Sequence, residues 1–171
     1  MDKSLWKTEI IGVGFVAACS SAMLRLYDFC GGQALGILFG AVNNSAWERC
    51  KTLLLPYLVW GLLELLCVRV AVYRFTVAKT AGLYFLGALC LPLGDLLPAA
   101  PCAALSVCAS FLLSFFLYRS RLTLRPLFAP AVCFLFLFVA VYVCFTPFPP
   151  QSPWFRDAVT GLYGIPPTNA G

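Results

Sequence analysis

Five stretches of this chain are apolar over about the thickness of a bilayer: 10–27, 52–68, 80–97, 101–118 and 127–145. A helix rising about 1.5 Å per residue needs roughly 20 apolar residues to cross a hydrocarbon core about 30 Å thick. Membrane-spanning strands are shorter and alternate in polarity, and these runs do neither. The chain is therefore expected to be all-α, a polytopic membrane protein with five transmembrane helices. Residues 1–171 read as a single membrane domain, with a Pro-rich tail over 146–171 too short to be a domain of its own. Composition agrees, at 61% hydrophobic, 11% charged and a mean hydropathy of +0.89. Soluble domains carry about 25% charged residues, and 171 residues fold around too little interior to hide this much apolar surface.

The chain has no histidine. Ser-His-Asp and Cys-His catalysis, HExxH metalloproteases and His-ligated zinc all drop out. Nine cysteines are spaced six residues or more apart, without a CxxC, and most sit in apolar runs where a thiol behaves as a small hydrophobe. No metal and no cofactor is expected. Cys30 and Cys50 flank one loop, and their pairing stays open.

Local chemistry sets the boundaries. Lys3 and Lys7 precede a run ending Val16-Ala17-Ala18-Cys19, a sequence like a lipoprotein cleavage box. The apolar core before Cys19 is short and the run continues beyond it to Leu26, so a retained first span is expected. Gly14, Ala18 and Ala22 recur every fourth residue and offer a small-residue face for helix packing. The Gly12-x-Gly14-x-x-Ala17 string follows no strand and is no nucleotide loop. Residues 28–44 form the longest loop, apolar enough in its middle to lie in the interface or dip into it. Ser45-Ala46-Trp47-Glu48 is a capping box that starts the second span, with the Ser45 hydroxyl accepting from the Glu48 amide and Glu48 reaching back. Pro56 interrupts that helix by freeing the carbonyl of Thr52. Spans three and four meet at Pro98-Ala99-Ala100-Pro101 as a tight hairpin.

Basic residues sit at the ends of apolar segments, where they sense membrane polarity; no nucleic-acid partner is expected. Lys3, Lys7, Arg69, Arg74, Lys79, Arg119, Arg121 and Arg125 fall on one side, and Arg25, Arg49, Lys51 and Arg156 on the other. Eight against four predicts a multi-pass cell-membrane protein with a cytoplasmic N-terminus and an extracytoplasmic C-terminus. The expected partner is the lipid bilayer, with a homo-oligomer or a second membrane protein left open.

On the tail side, Asp28, Glu48, Asp95 and Asp157 balance Arg25, Arg49, Lys51 and Arg156. Such charges are ordinarily solvated or paired. The sharper reading is a polar cap that binds a ligand, with Asn43, Ser45, Trp47, Glu48, Arg49, Lys51, Asp95, Asp157 and Tyr163 as candidates. The tail is expected to pack over the start of the second span, with Asp157 near Arg49 or Lys51. Glu64 stands apart as an ionisable residue inside the membrane. Snorkelling toward Arg69 or Arg74 and a functional role both suit it.

Two segments carry a resemblance. Asn43-Asn44-Ser45-Ala46-Trp47-Glu48-Arg49-Cys50-Lys51 resembles the Asn-Glu-Ser-Val-Trp-Glu-His-Leu-Lys motif of a family of uncharacterised bacterial multi-span membrane proteins. Asp157-Ala158-Val159-Thr160-Gly161-Leu162-Tyr163-Gly164 is similar to that family's closing Asp-Pro-Val-Thr-Gly-x-Tyr-Gly. The resemblance implies a fold and two motifs, and no activity. Arg49 stands where the motif has His, Asn44 where it has Glu, and Gln151 where a His often follows the tail prolines. The matching positions are Asn43, Ser45, Trp47, Glu48, Lys51, Asp157, Thr160, Gly161, Tyr163 and Gly164. The first functional reading is a membrane protein whose extracytoplasmic cap binds a small ligand, lipid headgroup or partner. The alternative is a His-free membrane-embedded enzyme or an oligomeric small transporter using Glu48, Asp157 or Glu64, so whether the chain is an enzyme stays undecided.

Overall fold

A computed structural model describes residues 2–30 and 33–165. Six α-helices follow one another: α1 Asp2–Phe29, α2 Ala34–Phe39, α3 Ala46–Cys67, α4 Val72–Leu96, α5 Ala99–Arg119 and α6 Phe128–Cys144. No strand occurs among the described residues. All but the short α2 are long and apolar enough to cross a membrane, α6 doing so together with the helical turn Arg125–Leu127 before it. The architecture is that of a polytopic membrane protein with five transmembrane helices.

Besides α3, which starts at its capping box, α1 and α4 begin earlier than apolarity alone indicates. α1 runs through Glu9, and α4 takes in Arg74 and Lys79, which hydropathy assigns to a polar loop. The reason is charge compensation. Lys79 lies inside the bundle against two carboxylates, so the helix carries it without exposing an unpaired ammonium to lipid. Arg74 instead donates to the carbonyls of Tyr118, Ser120 and Leu122 and ties the start of α4 to the end of α5.

α4 is the hub. It packs along α5, α3 and α6, while α1 packs on α3 and α5 and receives α2 across its end. The central core gathers Val16, Trp47, Leu54, Tyr57, Leu86, Val107, Phe111 and Phe138. The buried face of α1 carries Gly12, Val16 and Ser20. Gly14, Ala18 and Ala22 lie on its exposed face, and nothing lies within 4 Å of the space a Cβ on Gly14 would fill. The expected small-residue packing face is thus displaced by two positions. Gly12 has the close neighbour, Trp60 of α3, because the wider residues Val16 and Ser20 share its side and hold α1 against that helix.

The segment expected as the longest loop keeps little loop. α1 extends to Phe29, and α2 occupies the apolar middle. Pro56 and Pro92 sit inside α3 and α4 without ending either helix. All nine thiols are free, Cys30 and Cys50 included. Cys102 donates its thiol to the carbonyl of Cys90 at 3.7 Å, two residues before Pro92.

Candidate functional site

α3 begins with half of the expected capping box. The Glu48 amide donates to the Ser45 hydroxyl at 3.2 Å, while the Ser45 amide donates to the Asn43 side chain at 3.0 Å. The Glu48 carboxylate does not reach back to Ser45. It turns inward, because a stronger partner waits one turn along: Lys51 Nζ lies 2.6 Å from Oε2. Both side chains are fully buried, Lys51 at 0% and Glu48 at 2% exposure.

Burying that pair is tolerable only if the remaining donors and acceptors are satisfied. They are. An ammonium has three donors, and Lys51 uses them on Glu48, the Ile37 carbonyl at 3.2 Å and the Thr146 hydroxyl at 3.0 Å. Thr146 donates onward to Glu48 Oε1 at 3.3 Å, and the Val42 amide donates to Oε2 at 3.1 Å. Four parts of the chain (α2, the turn before α3, α3 and the end of α6) converge on one closed network.

The tail folds over this point. Trp47 stacks on Phe155 with ring centres 5.4 Å apart and meets Phe145 edge-on at 5.4 Å. Asn43 donates its amide to the Gly164 carbonyl at 2.9 Å. Within the tail, Asp157 caps its own turn by accepting from the amides of Val159 and Thr160, and an isolated bridge joins Arg156 to Tyr163. Gly161 and Gly164 adopt φ of 73° and 72°, a region in which a side chain is strained. Burial works to raise the Asp157 carboxyl, but hydrogen bonds from Val159, from the amide and hydroxyl of Thr160 and from the Asn44 backbone outweigh it and hold the group below the usual aspartate range.

The tail therefore lies over the start of α3, held by aromatic packing and by Asn43. No ion pair joins Asp157 to Arg49 or Lys51 among the described residues. Lys51 is saturated by Glu48, Ile37 and Thr146, and Asp157 by its own loop and the Asn44 backbone.

Between tail and bundle a cleft of about 500 Å³ remains open, and its polar side chains come from both parts. Arg49 reaches it from α3, Arg156, Asp157 and Thr160 from the tail, and Asn44 from the turn. Arg49 donates from one terminal nitrogen to the Asn44 carbonyl at 3.0 Å, while its buried Nε meets no acceptor. Arg156 donates Nε to the Gly161 carbonyl at 3.1 Å. Below, a chamber of about 60 Å³ shares Ala46, Arg49 and Gly94 with the cleft and adds Ser20, Thr52, Cys90 and Cys102. Arg49 stands where the two spaces meet.

Of the sequence-derived candidates, Arg49 and Asp157 share this cleft. Asn43, Ser45, Trp47, Glu48 and Lys51 build the wall and the tail clasp without lining it. Tyr163 braces Arg156 from a half-exposed position. Asp95 belongs to α4, and its side chain lies outside the described residues. Glu48 and Asp157 line no common cavity. In sequence Arg156 stands out only as a tail charge, on the same side as Arg49 by charge balance.

Glu64 has a different partner from the expected Arg69 or Arg74. Its Oε2 lies 2.6 Å from Lys79 Nζ, and the same ammonium lies 2.6 Å from Glu9 Oε2. All three residues are buried, at 2%, 8% and 4% exposure for Glu64, Lys79 and Glu9. The Ser114 hydroxyl lies 3.5 Å from Glu9 Oε1, whereas Glu64 Oε1 meets no donor. Phe111 turns its ring toward Lys79, 4.6 Å from Nζ. In sequence Lys79 counts only as a loop charge and Glu9 is passed over as a site residue, because each sits in the polar fringe of an apolar run; two acids and one base at matching depth on three helices were the available signal.

No group of three or more His, Cys, Asp or Glu residues suited to a metal ion occurs among the described residues. No curated protein and no solved structure matches the chain. The family model described as Family of unknown function (DUF6512) matches residues 2–165, a range that takes in α1 to α6, the tail turn and both charged clusters. The chain belongs to this DUF6512 family of unknown function.

Proposed function

We propose that this protein is a multi-pass cell-membrane protein that binds an anionic group, a phosphate or carboxylate of a small ligand or lipid headgroup, in the cleft between its tail and α3. The observation that carries the reading is the pairing of Arg49 and Arg156 in one polar cleft, with a buried Arg49 Nε that has no acceptor. Two guanidinium groups against the single carboxylate of Asp157 leave the cleft one positive charge in excess. Asp157 accepts from its own turn at Oδ1 and forms no ion pair with either arginine among the described residues. Guanidinium presents paired N–H groups that match a carboxylate or phosphate edge. The excess of basic residues on the opposite membrane face supports an extracytoplasmic cleft and a cytoplasmic N-terminus.

An enzymatic role for Glu48 finds no support in this geometry, because its carboxylate is buried and consumed by Lys51, Thr146 and Val42, away from the lining of the tail cleft. Thermal unfolding of the purified protein in a neutral detergent tests the proposal. Short-chain phosphatidylglycerol and inorganic phosphate serve as probes for the two sources of the anion, with short-chain phosphatidylcholine as the neutral control. A rise in Tm with the lipid alone identifies a headgroup site, and a rise with both identifies a general anion site. Hydrogen bonds to charged groups contribute about 1.5–3 kcal/mol, so Arg49→Gln should weaken binding roughly tenfold or more. No shift with either anion, or an equal shift in an Arg49→Gln/Arg156→Gln double variant, overturns the reading.

A further inference from the structure

The cluster of Glu9, Lys79 and Glu64 does not balance its charge. Two carboxylates face one ammonium, each at 2.6 Å, and together they carry one negative charge when all three are ionised. The groups come from α1, α3 and α4, and all are more than nine-tenths buried. The other side chains facing Lys79 are Tyr57 of α3, Phe75 of α4 and Phe111 of α5, each with its ring centre within 5.6 Å of Nζ, and Ser114 of α5 beside Glu9. None of these supplies a second cation. A net charge held in such low-dielectric surroundings is strongly disfavoured, and two carboxylates sharing one partner relieve it by retaining a proton between them. Glu64 Oε1 has the vacancy for it, being buried and without a donor.

We propose that the Glu9–Lys79–Glu64 triad is a proton-binding site within the membrane, which holds one proton shared between its two carboxylates at neutral pH and releases it reversibly as pH rises. Uptake adds an O–H bond to one carboxylate oxygen and takes the cluster from −1 to neutral. Release returns the proton to water and restores the charge. The proton belongs to the coupled pair, not to either residue alone.

Two clefts with no lining residue in common reach the triad. One, of about 110 Å³, touches Lys79 beside Tyr57, Gly61 and Thr80. The other, of about 270 Å³, touches Glu9 beside Trp6, Ile10 and Phe111. The triad is thus approached from two separate faces of the bundle. Ser114, Ser110 and Ser106, all buried and one turn apart on α5, extend a line of hydroxyls away from Glu9 toward the opposite membrane face. This proposal does not rest on anion binding in the tail cleft.

Infrared spectroscopy of the full-length protein in lipid nanodiscs, titrated with pH in light and heavy water, reads the proton directly through the carbonyl stretch of a protonated carboxylic acid. The expected result is a band at neutral pH worth one carboxyl per chain, lost reversibly on alkaline titration. Glu9→Gln and Glu64→Gln should each abolish it, since the remaining acid then pairs one-to-one with Lys79. Arg49→Gln/Arg156→Gln should leave it intact. The wild-type titration stands even where a Gln variant fails to fold. A folded wild type with no such band overturns the proposal, as does a band that survives in both Gln variants or persists unchanged until the protein unfolds.

Discussion

Lys51 has all three of its donors committed and no contact with solvent, which makes it the residue whose loss the structure should feel most. Removing one member of a buried ion pair leaves the other uncompensated, at a cost of about 3–5 kcal/mol, whereas replacing both with apolar or neutral groups is often close to neutral. Lys51→Met and Glu48→Gln should therefore each lower Tm sharply in detergent, and the double variant should recover much of the loss. Additive losses in the double variant would show the two residues acting independently. Glu48 was legible in the sequence as a member of a capping box and Lys51 as a charge of the polar cap, but their mutual pairing was not. An i,i+3 spacing suits two solvated charges equally well, and the groups that complete the network, Ile37 and Thr146, lie 14 and 95 residues away. Glu64 showed the same asymmetry: its cost inside an apolar run was readable, but its partner was not, because Lys79 looked like a loop charge until helix packing brought it inward.

At the scale of the helices, apolar length found all five membrane-spanning elements, since the bilayer demands it of any helix that crosses. Where they begin was less legible, because an internally paired charge looks the same in sequence as a solvated one. Which face each helix buries was obscured for a related reason. With lipid outside and side chains inside both apolar, polarity does not mark the interior. Two glycines make the distinction measurable. A Cβ at Gly82 would lie 3.0 Å from the Ser110 carbonyl and 3.2 Å from Ser114 Cβ, and closer still to the Tyr57 hydroxyl, while Gly14 faces open space. Overpacking a filled interface costs typically about 1–3 kcal/mol. Gly82→Ala should thus reduce thermal stability, and Gly14→Ala should leave it unchanged or slightly higher. Equal effects at the two positions would contradict the arrangement of α3, α4 and α5 around Tyr57.

For the molecule as a whole, the proposed orientation rests on the distribution of basic residues, and burial changes that count on both sides. Lys79 is paired inside the bundle and leaves seven of the original eight; Lys51 is likewise paired and leaves three of four. The bias survives the correction. In a background stripped of native cysteines, Val159→Cys and Leu122→Cys offer exposed positions at opposite ends of the bundle, at 78% and 60% exposure. An impermeant maleimide applied to intact cells should label the first and spare the second. The reverse pattern would invert the molecule and place the Arg49–Arg156 cleft in the cytoplasm.

The clasp around Lys51 also dictates an order of events during synthesis. Glu48 and Lys51 enter the bilayer with the second membrane-spanning helix, yet the hydroxyl that completes their network belongs to Thr146, which follows the last one. Until ribosome and insertion machinery have delivered all five helices, the growing chain carries an ammonium with a missing partner and a tail-side opening with no cover. Closure is therefore a terminal checkpoint built from two side chains and a threonine. Chains that stall or break before that point leave one donor of Lys51 without its acceptor and one oxygen of Glu48 without its donor.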